Sequence, residues 1–223
     1  MRRSTYGEWY FEEKYKYGKK RRAIQRHYLD ALSWADHNVE GGVLDGRGKR
    51  ALDVGCAYGF VVELLSKLGY DAVGVDVSSY AIRRGRGGRL VVADAENLPF
   101  MEESFNLVTC FAVLEHLLEP GKALQETYRV MRPGGVLVAT TPNTNAAATV
   151  LIHILAREPK KTHPSAKPPS DWVKMVAGAG FKDVKVRPFL LLPTPPTLLQ
   201  RYFVVEVPLR LASHVEILAV KSC

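Results

Sequence analysis

Between residues 50 and 141, short apolar runs alternate with stretches whose apolar positions return every three or four residues. Leu52 and Val54 give the first run the near-continuous apolar character of a buried parallel strand, and Gly55 and Gly59 permit a sharp turn after it. From Tyr58 to Leu68, residues Phe60, Val61, Leu64, Leu65 and Leu68 recur at helical spacing, so the unit reads strand, tight loop, helix. Val73–Val77 and Arg89–Ala95 predict a second and a third strand, closing at Asp76 and Asp94. Ser104–Leu117 and Met131–Leu137 are two further segments of this stretch. Upstream, Ala23–Trp34 is the clearest helix. Downstream, Ala146–Leu155 and Ser170–Ala179 read as helices, the second closed by Gly180. The proline-rich Glu158–Pro169 reads as irregular, Asp183–Leu192 as a sixth strand and His214–Val220 as a last one.

Alternating strands and helices predict an α/β domain with ligands bound outside the carboxyl ends of its strands. The chain divides into an N-terminal helical, basic and aromatic extension, residues 1–46, and one domain, residues 47–223. With 223 residues, 47% of them hydrophobic, the chain is long enough for one sizeable core. Apolar runs are too short for a membrane span, and Met1-Arg-Arg is not followed by a signal core, so a cytoplasmic protein is expected. Cys56, Cys110 and Cys223 form no metal-type pair, and reduced, buried thiols are expected at Cys56 and Cys110.

The loop Asp53-Val-Gly55-Cys56-Ala57-Tyr58-Gly59 carries the most chemistry. A dinucleotide fingerprint needs G-x-G-x-x-G, and neither the second nor the third glycine falls in place here. A carboxylate at Asp53 would repel a phosphate but suits a ligand bearing ammonium and amine groups. The D-x-G-x-A-x-G pattern resembles the first motif of class I S-adenosylmethionine-dependent methyltransferases, which more often have glycine at the position of Ala57. Asp76 follows Gly55 by about twenty residues, where such sheets place an acid on the ribose hydroxyls. Asp94, the Leu98-Pro-Phe100 turn, the Leu114-Glu115-His116 segment and Met131-Arg-Pro-Gly-Gly135 continue the resemblance, most closely to the small-molecule and ubiquinone-biosynthesis-like branch.

That resemblance implies a Rossmann-like, seven-stranded, mostly parallel sheet with helices on both faces and an antiparallel last strand. It implies S-adenosylmethionine as cofactor, held by Asp53, Gly55, Cys56, Ala57, Gly59, Asp76, Val77, Asp94, Ala95 and Phe111, with Asp94 meeting the adenine amine. It also implies methyl transfer to a small-molecule acceptor by in-line displacement. His116 and His163 are the candidate general bases. Relatives sometimes hold a divalent metal with a Glu-x-x-Glu-His set, but Ala112 stands where the first glutamate would, so no metal site is expected. Each acid taken alone is equally readable as a helix cap or turn former.

Charge adds one open question. Through Arg26 the chain carries +6 of its net +8, interleaved with Tyr6, Trp9, Tyr10, Phe11, Tyr15 and Tyr17. Such a segment suits RNA through phosphate contacts and stacking, or a lid over the cofactor whose outer face is solvated. The lid is the preferred reading, with a tRNA- or RNA-modifying methyltransferase as the alternative and a non-catalytic S-adenosylmethionine-binding scaffold as a further one. The absence of an Asp/Asn-Pro-Pro-Tyr/Phe motif after the fourth strand counts against methylation of nucleobase amines.

Overall fold

The structure is a computed structural model and describes residues 6–14, 16–144, 163–193 and 202–222. Its strands are β1 (Arg50–Val54), β2 (Asp71–Asp76), β3 (Arg89–Val92), β4 (Phe105–Phe111), β5 (Met131–Pro142), β6 (Phe181–Pro193), β7 (Tyr202–Glu206) and β8 (His214–Lys221). They form one sheet in the order β3-β2-β1-β4-β5-β8-β6-β7. Pairing is parallel from β3 to β5 and antiparallel across β5/β8, β8/β6 and β6/β7. The chain order reverses at β1/β4, which opens a crevice above their carboxyl ends.

Strand parity builds two cores, because successive side chains point to opposite faces. Ala51, Leu107, Val136 and Leu218 pack on one face with Leu32 and Ala35 of α1 (Arg21–Asp36) and Val61 and Leu65 of α2 (Phe60–Lys67). Their neighbours Leu52, Val108, Leu137 and Ile217 pack on the other. There they meet Leu124 of α4 (Pro120–Val130) and Trp172 of α5 (Pro169–Gly178), while α3 (Ser79–Arg84) joins β2 to β3. Helix α1 is also tied to the sheet by charge. Arg187 donates to Glu216 (2.6 Å) and Asp30 (2.5 Å), and its guanidinium lies 5.4 Å from the centre of the Trp34 ring.

Among the described residues the sheet has eight strands where seven were expected. The added strand, β7, is a five-residue edge strand paired, among the described residues, with Phe189–Pro193 of β6. The third strand stops at Val92, two residues before the expected aspartate, because Asp94 instead bridges to Asn97. Strand β5 begins at Met131 itself, with an irregularity in its register opposite Phe105–Leu107. The expected helix Ala146–Leu155 and the first part of the proline-rich loop lie outside the described residues. Among the described residues no helix is long and apolar enough to cross a membrane.

Candidate active site

The loop after β1 is shaped by close approach. The backbone N–H groups of Gly55 and Cys56 both donate to the Val75 carbonyl (2.8 and 2.9 Å), which curls the chain across the end of β2. Gly55 has φ 75°, and a Cβ there would stand 2.2 Å from Val113 Cγ2. Ala57 occupies the left-handed region at φ 47°, a conformation that costs a residue with a Cβ roughly 1–2 kcal/mol. Its N–H donates to Asp76 Oδ2 (2.9 Å), which holds the loop to the end of β2. Gly59 caps α2 at φ 77°, and Gly87 packs on its carbonyl so closely that a Cβ on Gly87 would meet that oxygen at 1.8 Å.

A cavity of about 420 Å³ lies above this loop. Of the ten residues expected to hold the cofactor, Gly55, Ala57, Asp76, Val77, Asp94, Ala95 and Phe111 line it. Asp53, Cys56 and Gly59 do not. Asp53 lies beneath the loop, 2% exposed, where it accepts from Thr109 Oγ1 (2.7 Å). Cys56 faces Gly74, and Gly59 serves the start of α2. Asp76 accepts from Ala57 N and Ser78 N (2.7 Å), one bond per oxygen, so each oxygen keeps a lone pair for a ligand hydroxyl. Asp94 accepts from Glu96 N (3.0 Å) in a local turn that fixes its carboxylate at the rim.

Tyr6, Tyr10, Phe11 and Tyr17, from the N-terminal extension, form further walls. The extension is tied to the domain where it passes the cofactor loop. Ser78 Oγ donates to the Tyr6 carbonyl (2.6 Å), Tyr58 OH donates to Glu12 (2.6 Å), and Arg84 stands 3.7 Å from Glu8. Phe11 stacks against Tyr58 at 5.3 Å between ring centres. Tyr28 of α1 stacks on Phe111 at 4.0 Å. An aromatic enclosure of this kind excludes water and presents ring faces that attract a cation.

The other end of the cavity carries Glu115, His116, His163 and His214. Both candidate bases are therefore in it, with their rings 4.7 Å apart. His163 reaches Glu115 and His116 because Ser165 pins its loop. Ser165 N donates to the Glu115 carbonyl (3.1 Å) and its Oγ to the Leu117 carbonyl (2.6 Å). The ligand atoms of Glu115, His116 and His163 lie within 4.8 Å of one another, an arrangement that can hold a metal ion. The expectation of no metal site rested on Ala112, which lines the same cavity, as does His163. His214 was not anticipated. It opens β8, and because β8 runs antiparallel to β5, its first residue sits beside Pro142 at the carboxyl edge where ligands bind. Burial lowers His214 to a pKa of about 4, so it is neutral at physiological pH.

Two buried carboxyl groups give the cofactor-free protein a pH signature. Burial, opposed by the Thr109 hydrogen bond, pushes Asp53 up to about 7, and burial pushes Glu115 up to about 8. A carboxyl group that holds its proton more tightly when folded contributes stability fully present below its unfolded pKa and lost as pH rises through the folded one. Below about pH 6.5 this is offset by buried His27 and His214, both lowered to about 4 and so taking up protons on unfolding; stability of the ligand-free protein is thus expected to fall between about pH 6.5 and pH 8 by on the order of a few kcal/mol. Urea unfolding across that range checks this, and Asp53→Asn should flatten part of the slope. A stability that rises over the window would contradict the assignment.

Comparison with known proteins agrees with this geometry. Residues 52–139 match a family described as a methyltransferase domain. The ubiquinone biosynthesis O-methyltransferase of Pseudomonas entomophila is 30% identical over 175 residues, covering 69% of this chain and 72% of that protein. The solved S-adenosylmethionine-dependent methyltransferase of Thermotoga maritima, described as a possible histamine N-methyltransferase, superposes with a TM-score of 0.70. It is 21% identical, with 96% of this chain and 99% of that one covered. Magnesium protoporphyrin IX methyltransferase from Synechocystis PCC 6803, solved with bound S-adenosylhomocysteine, gives a TM-score of 0.62 at 18% identity, covering 93% and 88%. The chain belongs to the class I S-adenosylmethionine-dependent methyltransferases, in the branch that holds the ubiquinone biosynthesis O-methyltransferases, and S-adenosylmethionine is its cofactor.

Proposed function

We propose that the protein methylates an oxygen of a small hydroxylated acceptor in the cytoplasm. The observation that carries this reading is one aromatic-walled cavity that joins the acids of the cofactor end, Asp76 and Asp94, to the histidine end at His116 and His163. Space of about 420 Å³ suits small molecules. The O-methyltransferase names of the relatives point the same way.

When bound, S-adenosylmethionine supplies an activated methyl group on a sulfonium. Asp76 receives the ribose hydroxyls and Asp94 the adenine amine, while Gly55, Ala57, Val77, Ala95 and Phe111 form the surface against which the cofactor lies. Tyr6, Tyr10, Phe11 and Tyr17 exclude water and align the partners, and positioning of this kind is worth about 7–11 kcal/mol. The acceptor hydroxyl faces the histidine end, where His116 or His163 takes its proton. General-base assistance adds roughly 10²–10⁴-fold.

The extension of residues 1–46 acts in this reading as a lid on the domain of residues 47–223. A second reading, an RNA substrate, draws on a groove on the outer side of Tyr58 and Phe60 that is lined by Arg21, Arg83, Arg84 and Arg86. The two are separated by deleting residues 1–18. Loss of the lid is expected to weaken S-adenosylmethionine binding roughly ten-fold or more, about 1.4 kcal/mol, with no acceptor present. Calorimetry on the truncated protein measures this. Cofactor binding that survives the deletion, together with loss of a strong RNA affinity that falls steeply with salt, would replace the lid with an RNA-binding arm.

A further inference from the structure

We infer that the groove on the outer side of Tyr58 and Phe60 is a second binding site, for a compact oligophosphate: a ligand carrying two or three linked phosphates. The groove encloses about 600 Å³ and is lined by Arg21, Arg83, Arg84 and Arg86 together with Glu12 and Glu63. Its charges do not balance. Arg21 is bonded to Glu63 and Arg84 faces Glu8 at 3.7 Å, whereas Arg83 and Arg86 have no ion-pair or side-chain hydrogen-bond partner among the described residues. Two uncompensated guanidinium groups on one turn offer planar forks of N–H donors, which suit bidentate recognition of phosphate oxygens. The turn that carries them is fixed. Arg86 N donates to the Tyr58 carbonyl (3.2 Å), a Cβ on Gly85 would stand 2.1 Å from Leu90 Cδ1, and Gly87 packs on the Gly59 carbonyl. The cost of ordering on binding is thereby confined to the side chains.

The walls favour phosphate groups over a nucleic-acid strand. Single strands are held by bases stacked on aromatic platforms beside the charge. Tyr58 and Phe60 are 6% and 8% exposed and stack on Phe11 and Tyr17 at 5.3 and 5.4 Å, so their rings are packed into the extension and offer no such platform. Glu12 and Glu63 also interrupt the basic track that a backbone would follow. One residue of the extension competes for the site, because a phosphate that engages Arg84 takes it from Glu8. An occupied groove therefore loosens the extension over the cofactor. That consequence rests on the lid reading above; the site itself does not.

The test is calorimetry of tripolyphosphate with the full chain, without metal ions or cofactor, at a constant ionic strength of about 0.15 M that screens diffuse attraction to a basic protein. One equivalent is expected to bind, with sulfate weaker by about ten-fold or more. Arg83→Ala and Arg86→Ala should each weaken binding roughly ten-fold or more, the loss expected of a charge-assisted hydrogen bond. Arg210→Ala, exposed and outside the groove, should leave it unchanged; circular dichroism verifies the fold of each variant. Glu8→Gln, which removes the competing carboxylate, should tighten binding by about two- to five-fold, the scale of a surface ion pair. ATP separates two sources of the same chemistry: affinity equal to that of tripolyphosphate marks free oligophosphate, and much tighter binding marks a nucleotide. Binding that survives both arginine variants, sulfate binding equally well, or no saturable binding would each overturn the site. A tRNA bound far more tightly than tripolyphosphate through the same arginines would replace it with an RNA surface. Saturating tripolyphosphate should also weaken S-adenosylmethionine binding by about five-fold. Cofactor affinity unchanged beside saturable tripolyphosphate binding would sink the coupling to the lid alone, and a protein that binds tripolyphosphate but no S-adenosylmethionine would sink the functional reading alone.

Discussion

Gly55→Ala is expected to lower stability by about 2–5 kcal/mol and to weaken S-adenosylmethionine binding by well over ten-fold. Two costs combine at this position. The backbone sits at φ 75°, where a residue with a Cβ costs roughly 1–2 kcal/mol. The new Cβ would also stand 2.2 Å from Val113 Cγ2, and overpacking of that kind costs typically about 1–3 kcal/mol. Relief comes only from movement of the loop or of Val113, and both line the cavity. Urea unfolding and calorimetry measure the two effects. The double variant Gly55→Ala/Val113→Ala separates them, since it removes the steric part and leaves the backbone strain. A single variant as stable as the parent would mean that the loop does not take this path.

Asp76→Ala is expected to weaken S-adenosylmethionine binding by roughly ten- to a hundred-fold, because hydrogen bonds to a charged group are worth about 1.5–3 kcal/mol. The same carboxylate accepts from Ala57 N and Ser78 N, so part of the loss will come from a loosened loop. Asp76→Asn distinguishes the parts. It keeps one carbonyl oxygen to accept a backbone N–H or a ribose hydroxyl, and should fall between parent and alanine variant. An Asp76→Ala protein that folds, by circular dichroism, and binds the cofactor with parent affinity would remove the ribose assignment.

The strand ends were legible because their signals are local. Asp76 closes an apolar run, and the sheet places it at the rim of the cavity by the same regularity that the spacing from Gly55 expresses. Asp53 shows where local reading stops. It stands at the motif position, yet it shares the face of Ala51 and lies under the loop on Thr109 instead of lining the cavity. Neither strand periodicity nor motif spacing tells which face opens to a ligand. His163 was a candidate from the sequence, but its approach to His116, and the place of His214, needed the tertiary fold. The first is brought to His116 by two hydrogen bonds from Ser165, and the second by the reversal of β8 against β5. Proline-rich sequence offers no period from which such a path could be read.

Methyl transfer to a small molecule is tested most directly by following the label from S-adenosylmethionine carrying a deuterated methyl group in a cytoplasmic extract. Mass spectrometry of the low-molecular-weight and RNA fractions locates the transferred methyl. The cavity geometry predicts enzyme-dependent label on an oxygen of a small organic compound, with S-adenosylhomocysteine released in equal amount and nuclease treatment of the extract without effect. Label confined to RNA and abolished by nuclease would contradict it.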